Sequence, residues 1–436
     1  MRRIRRSTLL AAGAALVAGL ILALHTVAPG LGRMTHGYSG YHTASYLLVH
    51  GEWGPQAYEN EWYIARVKAL LGQPIGEIIT PNLPTVTLLA LPLAGLEPQP
   101  ARDIWIMANL PVLAGALALL ALGPRRTQRR LPPAAWWCFA AVALLLPATR
   151  ANFRIGQAYV VLLFLFAVAL LGLYREEDWL VGIALGLAFM LKSSGLPLWL
   201  GLALARRWRA LGWGVATCLL IFGLSLPWIG LESWLAYPAA LRRATAGPLL
   251  TVTAYQNTLG LLSHLLRYDA AVNPAPLAAT QWVPAAAASW LHGLIGALAT
   301  GLTLWHGRRA AAPLLCATLL VLSVVLLPLA EEHQFVLLLP PAAVLGHEWG
   351  RRQALRPASW LPALAAGALL LLPSFYKGAG WGSGWWALLA YPRLYAGWLL
   401  WLALFDLLRR PPDLGGGEPA DPGQAQPIAA QRAQPR

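Results

Sequence analysis

Apolar runs separated by short polar turns make up most of the chain. They lie near 7–27, 104–122, 132–148, 157–174, 178–192, 196–206, 211–229, 285–305, 310–330, 334–347, 358–374 and 389–408. About 20 apolar residues in a helix cross a bilayer core. The pattern predicts an all-α polytopic membrane protein with about 12 crossings. Two stretches break the alternation. Residues 29–84 are mostly polar, rich in Tyr and Trp, and long enough for one or two interfacial helices. Residues 230–283 form a second long polar segment. The stretch PTVTLLALPLAGLEPQPA at 84–101 is short and broken by prolines, which predicts a half-helix or re-entrant element.

This pattern divides the chain into four parts. Residues 1–28 begin like a signal peptide but have a long apolar core and no clear A-x-A site, so they predict a retained signal-anchor helix. Residues 29–84 form a first outer loop, and 85–408 a multi-helix membrane domain that includes the outer loop 230–283. Residues 409–436, rich in Pro, Gly, Gln and Ala, predict a disordered cytoplasmic tail.

Composition changes the picture in two ways. With 58% hydrophobic and 12% charged residues, an ordinary soluble domain is excluded. The net charge of +15 would suggest nucleic acid in a soluble protein. Here the cations sit in short loops such as GPRRTQRR, RRWRALGW and HGRR, where they set orientation. Both termini are therefore expected to be cytoplasmic in a multi-pass cell-membrane protein, with no nucleic-acid partner. The three cysteines, Cys138, Cys218 and Cys316, lie in apolar runs without metal-type spacing, so free thiols are expected. No phosphate-cradling glycine loop or nucleotide fingerprint is present, and no cofactor is implied.

The polar chemistry collects at one expected face. If the runs of 150–207 cross the membrane, Arg150, Arg154, Gln157, Lys192 and Ser193 share the outer end. Polar groups at that depth are costly, so their convergence reads as a site, although any one cation also suits an interfacial anchor. The same face receives Glu331, Glu332 and His333, and Asn257, which fits either a sugar-binding amide or a helix cap. Arg242 and Arg243 suit a phosphate or a lipid headgroup. Glu52, Glu59, Glu61 and Glu77 are candidate bases or solvated loop residues. A metal is not required, though Glu331, Glu332 and His333 leave one possible. Cations at the membrane edge suit a polyprenyl-phosphate donor, because a departing phosphate needs charge stabilisation.

Several motifs in order give the chain a likeness. GYSGYHTASYLLVHGEWGPQAYENEWYIARVKALLG, TPNLPTVTLLALPLAGL, GQAYVVLLFLFAVALL, GIALGLAFMLKSSGLPL, YQNTLGLL and EEHQFVLLLPP resemble successive segments of the bacterial integral-membrane glycosyltransferases of family 87. The resemblance runs over roughly 37–345. It implies a GT-C fold and a polyprenol-phosphate-mannose-dependent type of activity. Where that family's first loop opens with an Asp expected to act as base, this sequence has Gly37; Asn82 replaces a usual proline. The Tyr58–Glu59 pair keeps a carboxylate, so the resemblance assigns the base to Glu59, with His36 as the alternative.

These readings combine into one expectation. A sugar, mannose or another hexose, would move with inversion from a polyprenyl-phosphate donor to a lipid or glycan acceptor at the outer face. Arg150, Arg154 and Lys192 would hold the phosphate, and Gln157, Asn257, Glu332 and His333 would contact substrate. The competing readings are an inactive assembly subunit, which the loss at Gly37 would explain, and a lipid-linked-sugar transporter, which would carry internal repeats.

Overall fold

The structure is a computed structural model that describes residues 5–123, 131–246, 252–266, 286–351, 357–378, 381 and 384–410. The expected tail beyond 410, much of GPRRTQRR and part of the second polar segment lie outside the described residues. The chain is an all-α polytopic membrane protein, 80% helical and without strands among the described residues.

Among the described residues, four helices are long and apolar enough to cross a membrane: Arg6–Gly30, Pro98–Leu122, Trp208–Ile229 and Ala287–Gly307. A fifth candidate is the pair Pro133–Leu145 and Pro147–Ile155, bent by 49°. The bend follows from Pro147, which holds Leu146 extended at ψ 130 and ends the first helix. This number is lower than about 12 because several apolar runs fold into shorter helices. Asp178–Lys192 has 15 residues and Leu196–Leu204 only 9. Nine residues rise about 14 Å, under half of a bilayer core.

The long helices form the rim and the short ones the interior. Leu219, Leu220 and Leu224 of Trp208–Ile229 are all exposed, as expected for side chains that meet acyl chains. The helices Tyr159–Arg175, Ala312–Val325 and Pro392–Leu408 supply most of the core instead, with Leu162, Leu319 and Leu404 fully buried. Close approach of these helices uses small residues. A Cβ on Gly201 would stand 2.7 Å from Leu319, and one on Gly397 2.3 Å from Val325.

The first polar segment folds as two helices, Tyr38–Val49 and Asn60–Leu71. It has its own core, in which Tyr38, Tyr58 and Tyr63 are buried. The stretch after Leu83 forms two short turns of tight helix, Pro84–Leu88 and Leu91–Leu93, and not a crossing. Its prolines remove backbone donors, and this prevents a continuous helix. The turns serve as a spacer. Ser45 donates to the Thr87 carbonyl at 2.7 Å, and Thr85 donates to the Met190 carbonyl. The Tyr38–Val49 helix is thus tied to the end of Asp178–Lys192.

Candidate functional site

The tie just described brings Tyr41 and Lys192 together, since Ser45 lies one turn from Tyr41 and Met190 two residues before Lys192. The Lys192 ammonium stands 4.9 Å from the Tyr41 ring and 5.2 Å from the Tyr159 ring. Both faces attract a cation while leaving its hydrogens free to donate. The Tyr41 hydroxyl donates to Gln157 Oε1. On the far side, the Tyr159 ring packs against the His333 ring at 4.9 Å. His333 Nδ1 lies 3.7 Å from Glu331 Oε2.

A second carboxylate completes the cluster. Glu77 Oε2 accepts the Gly37 amide at 2.5 Å, and His36 Nδ1 lies 4.0 Å from the same oxygen. Two glycines make room for it. Gly37 has φ 89, and a Cβ there would lie 2.5 Å from the Ile155 carbonyl oxygen. A Cβ on Gly40 would stand 2.8 Å from Glu77 Cγ. Position 37 cannot carry a side chain in this conformation, and the carboxylate at this spot arrives from 40 residues further along the chain.

The surrounding shell holds the pieces by backbone contacts. Asn152 donates to the His333 carbonyl at 2.8 Å. The Gln256 amide donates to the Ala330 carbonyl at 2.7 Å, and Tyr255 forms an isolated bridge with Glu331. Burial and the neighbouring Glu77 raise the pKa of Glu331. Burial, followed by the Lys192 and Lys377 charges, pushes His333 down to about 3, so its ring is neutral at pH 7. Burial, then the Tyr159 and Glu77 charges, keeps the Tyr41 hydroxyl protonated by raising its pKa.

The structure distributes the sequence-derived candidates unevenly. Lys192, Gln157 and His333 belong to the cluster, and His36 stands at its exposed edge. Arg150 lies on the Pro147–Ile155 helix and donates to Thr26 at 3.1 Å. Arg154 is exposed, and its carbonyl accepts from Arg102 at 2.8 Å. Neither arginine contacts Lys192. Glu59 is 66% exposed and pairs with Arg243 at 3.0 Å, away from the Lys192 contacts. Asn257 is a cap: its Oδ1 accepts the Gly260 amide at 2.6 Å while its Nδ2 donates to Pro328 at 2.8 Å. Glu332 is saturated by Lys377 at 2.8 Å, Arg393 at 3.0 Å and Ser374. Burial acts to raise its pKa, but these hydrogen bonds and charges hold it down to about 2.

Sequence reasoning passed over two fully buried arginines. Arg102 donates to Gly30 at 2.6 Å and to Thr35 at 3.2 Å, which closes the end of the first helix. Arg393 caps the Pro357–Leu371 helix through the Leu369 and Leu370 carbonyls. The available signal was an arginine near the start of an apolar helix, within reach of the orphan carbonyls that end an earlier helix. Among the described residues no group of three or more His, Cys, Asp or Glu could hold a metal ion.

The family model of glycosyltransferase family 87 matches residues 82–330, more than half of the chain. The chain belongs to glycosyltransferase family 87. It is a membrane glycosyltransferase, and sugar donors and acceptors are its substrates. The matched stretch of this transferase contains Gln157 and Lys192, whereas Glu77 precedes it and Glu331 and His333 follow it. No curated protein and no solved structure gives a significant match to the transferase.

Proposed function

We propose that this transferase moves a hexose, mannose or a close relative, from a polyprenyl-phosphate donor to a lipid or glycan acceptor at the outer face of the membrane. One observation carries the reading: a lysine between two aromatic faces has carboxylates on either side, Glu77 and Glu331, at one end of the bundle. A cation at that level suits the phosphate of a lipid donor, and a carboxylate nearby suits an acceptor hydroxyl.

In the proposed reaction the acceptor oxygen attacks the anomeric carbon from the face opposite the phosphate. The bond between that carbon and the phosphate oxygen breaks, and its electron pair leaves with the phosphate. Lys192 stabilises the developing charge, and the acceptor proton passes to a carboxylate. Glu77 replaces Glu59 as the assigned base. Glu77 is held by a backbone amide inside the cluster, whereas Glu59 is solvated and paired. Glu331, whose pKa is raised, and neutral His333 supply hydrogen bonds to sugar hydroxyls. Arg150 and Arg154 would meet the donor from the membrane edge.

The test is transfer by purified protein from radiolabelled polyprenyl-phosphate sugars to a membrane-lipid extract. Transfer abolished by Lys192→Met and Glu77→Gln supports the reading. Transfer that survives both removes it, and no transfer with any donor favours an inactive assembly subunit.

A further inference from the structure

The opposite end of the bundle carries a second, unassigned feature. The short helix Leu196–Leu204 and the long helix Ala287–Gly307 both finish at a pair of arginines, Arg206–Arg207 and Arg308–Arg309. Close approach of both helix ends to Ala312–Val325 draws the two pairs together. A Cβ on Gly201 would lie 3.4 Å from Cys316 Sγ, and one on Gly307 would lie 2.4 Å from Leu315. The result is a cleft of about 880 Å³ lined by all four arginines over an apolar floor that includes Leu204 and Ala310.

The charge in this cleft is largely uncompensated. Arg207 is paired with Asp178 at 2.6 Å. Among the described residues no carboxylate pairs with Arg206, Arg308 or Arg309. The Arg308 guanidinium stacks 3.9 Å from the Trp305 ring. Trp208, which lines the cleft, and Trp305 beside it are exposed, as are Leu200 and Leu302 on the two helices leading into it. Loops that only set orientation need positive charge but no concave site. Forked donors in a cavity fit a phosphate, and the adjoining exposed indoles and leucines fit acyl chains.

We propose that this cleft binds the phosphate headgroup of an anionic glycerophospholipid, apart from the Lys192 cluster. Asp178 and Lys192 mark the two ends of one helix of 15 residues, so about 22 Å separates the two regions. Such a lipid would lock the Leu196–Leu204 and Ala287–Gly307 ends to each other.

The test uses the full chain in detergent and fluorescent phosphatidylglycerol, with binding read by anisotropy. Phosphatidylglycerol should bind more tightly than phosphatidylcholine. Each arginine removed should weaken it about fivefold, so Arg309→Gln shows that loss and the Arg206, Arg308 and Arg309 triple glutamine variant about a hundredfold. Ala310→Phe, which fills the cleft without changing charge, should weaken binding as well. Arg209→Gln, adjacent but outside the cleft, should change it by less than about twofold, and thermal melts should show all variants folded. Equal loss with Arg209→Gln would overturn the site in favour of diffuse surface charge. Displacement by millimolar inorganic phosphate would show a free-phosphate site instead. Tighter binding of polyprenyl phosphate, lost with Arg309→Gln and kept with Lys192→Met, would make the cleft a donor site and overturn the assignment.

Discussion

The Gly37 amide and the Glu77 carboxylate show how a single position limits which side chains can gather around it. An aspartate at 37 would require a Cβ 2.5 Å from the Ile155 carbonyl, so the expected acid cannot occupy this backbone. Glu77 reaches the same place from another turn of the loop. Glu77→Gln should therefore lower transfer by about 10² to 10⁴, the usual range for a lost general base, while Glu59→Gln leaves it within about twofold. Gly37→Asp in the Glu77→Gln background should not restore activity. A rescue in that double variant would show that the backbone accommodates the missing acid. His333 adds a pH dependence. Its folded-state pKa of about 3 lies below the ordinary 6.5, so the unfolded chain binds the extra proton between those values. Stability should fall as pH drops through that window, by up to about 2 kcal/mol at pH 5. Glu332, held down to about 2, adds loss in the same direction below pH 4.5, and the raised Glu331 partly opposes it. Thermal melts of the protein and of His333→Asn between pH 5 and 7 would measure the difference, and the variant should lose the upper part of the slope.

At the scale of elements, the site depends on how the Tyr38–Val49 helix sits against its neighbours. Gly40 keeps that helix close to Glu77, and Ser45 and Thr85 fix its distance from Lys192. Gly40→Ala should push Glu77 off the Gly37 amide. A displacement of about 1 Å at a reacting group costs up to about a hundredfold in rate. Its melting temperature should change little, because the helix itself gains propensity from alanine. Unchanged kcat in this variant would separate Glu77 from the chemistry. Asn257→Ala should behave oppositely. It removes a helix cap and the bond to Pro328, so stability should drop by about 1 kcal/mol while KM for the donor stays constant. Calorimetry and a donor titration on the same preparation check both halves.

For the whole molecule, one buried and one half-exposed ionic tie connect distant parts of the chain. Glu332 joins Lys377, Ser374 and Arg393 from two later elements, and Arg393 is completely buried. Glu332→Ala would leave that guanidinium without its counter-charge, a loss of about 3 to 5 kcal/mol. The variant should therefore melt early whatever the substrate. If its stability is unchanged and only transfer falls, Glu332 belongs to the substrate site after all. Orientation is tested at the same scale. In a background lacking Cys138, Cys218 and Cys316, a membrane-impermeant maleimide added to intact cells should label Glu59→Cys and not Arg309→Cys. The reverse pattern would place the Lys192 cluster on the inner face.

The order of apolar runs was enough to define an all-α membrane protein and to mark Lys192, Gln157 and His333 as candidates. Hydropathy is a property of neighbouring residues, and each of these stands at the end of a run where a polar group is conspicuous. Crossing number was less legible, because proline breaks and short helices divide runs that composition alone joins. That Glu77 lies against the Gly37 amide and Glu59 against Arg243 was decided only by tertiary structure. Both carboxylates occupy the same polar segment, and nothing local distinguishes them. One accepts an amide 40 residues away, and the other meets Arg243 across 184 residues of chain. The same long-range packing turned Asn257 into a cap and Glu332 into a buried tie, since a polar side chain is available to substrate only when the fold has not already satisfied it.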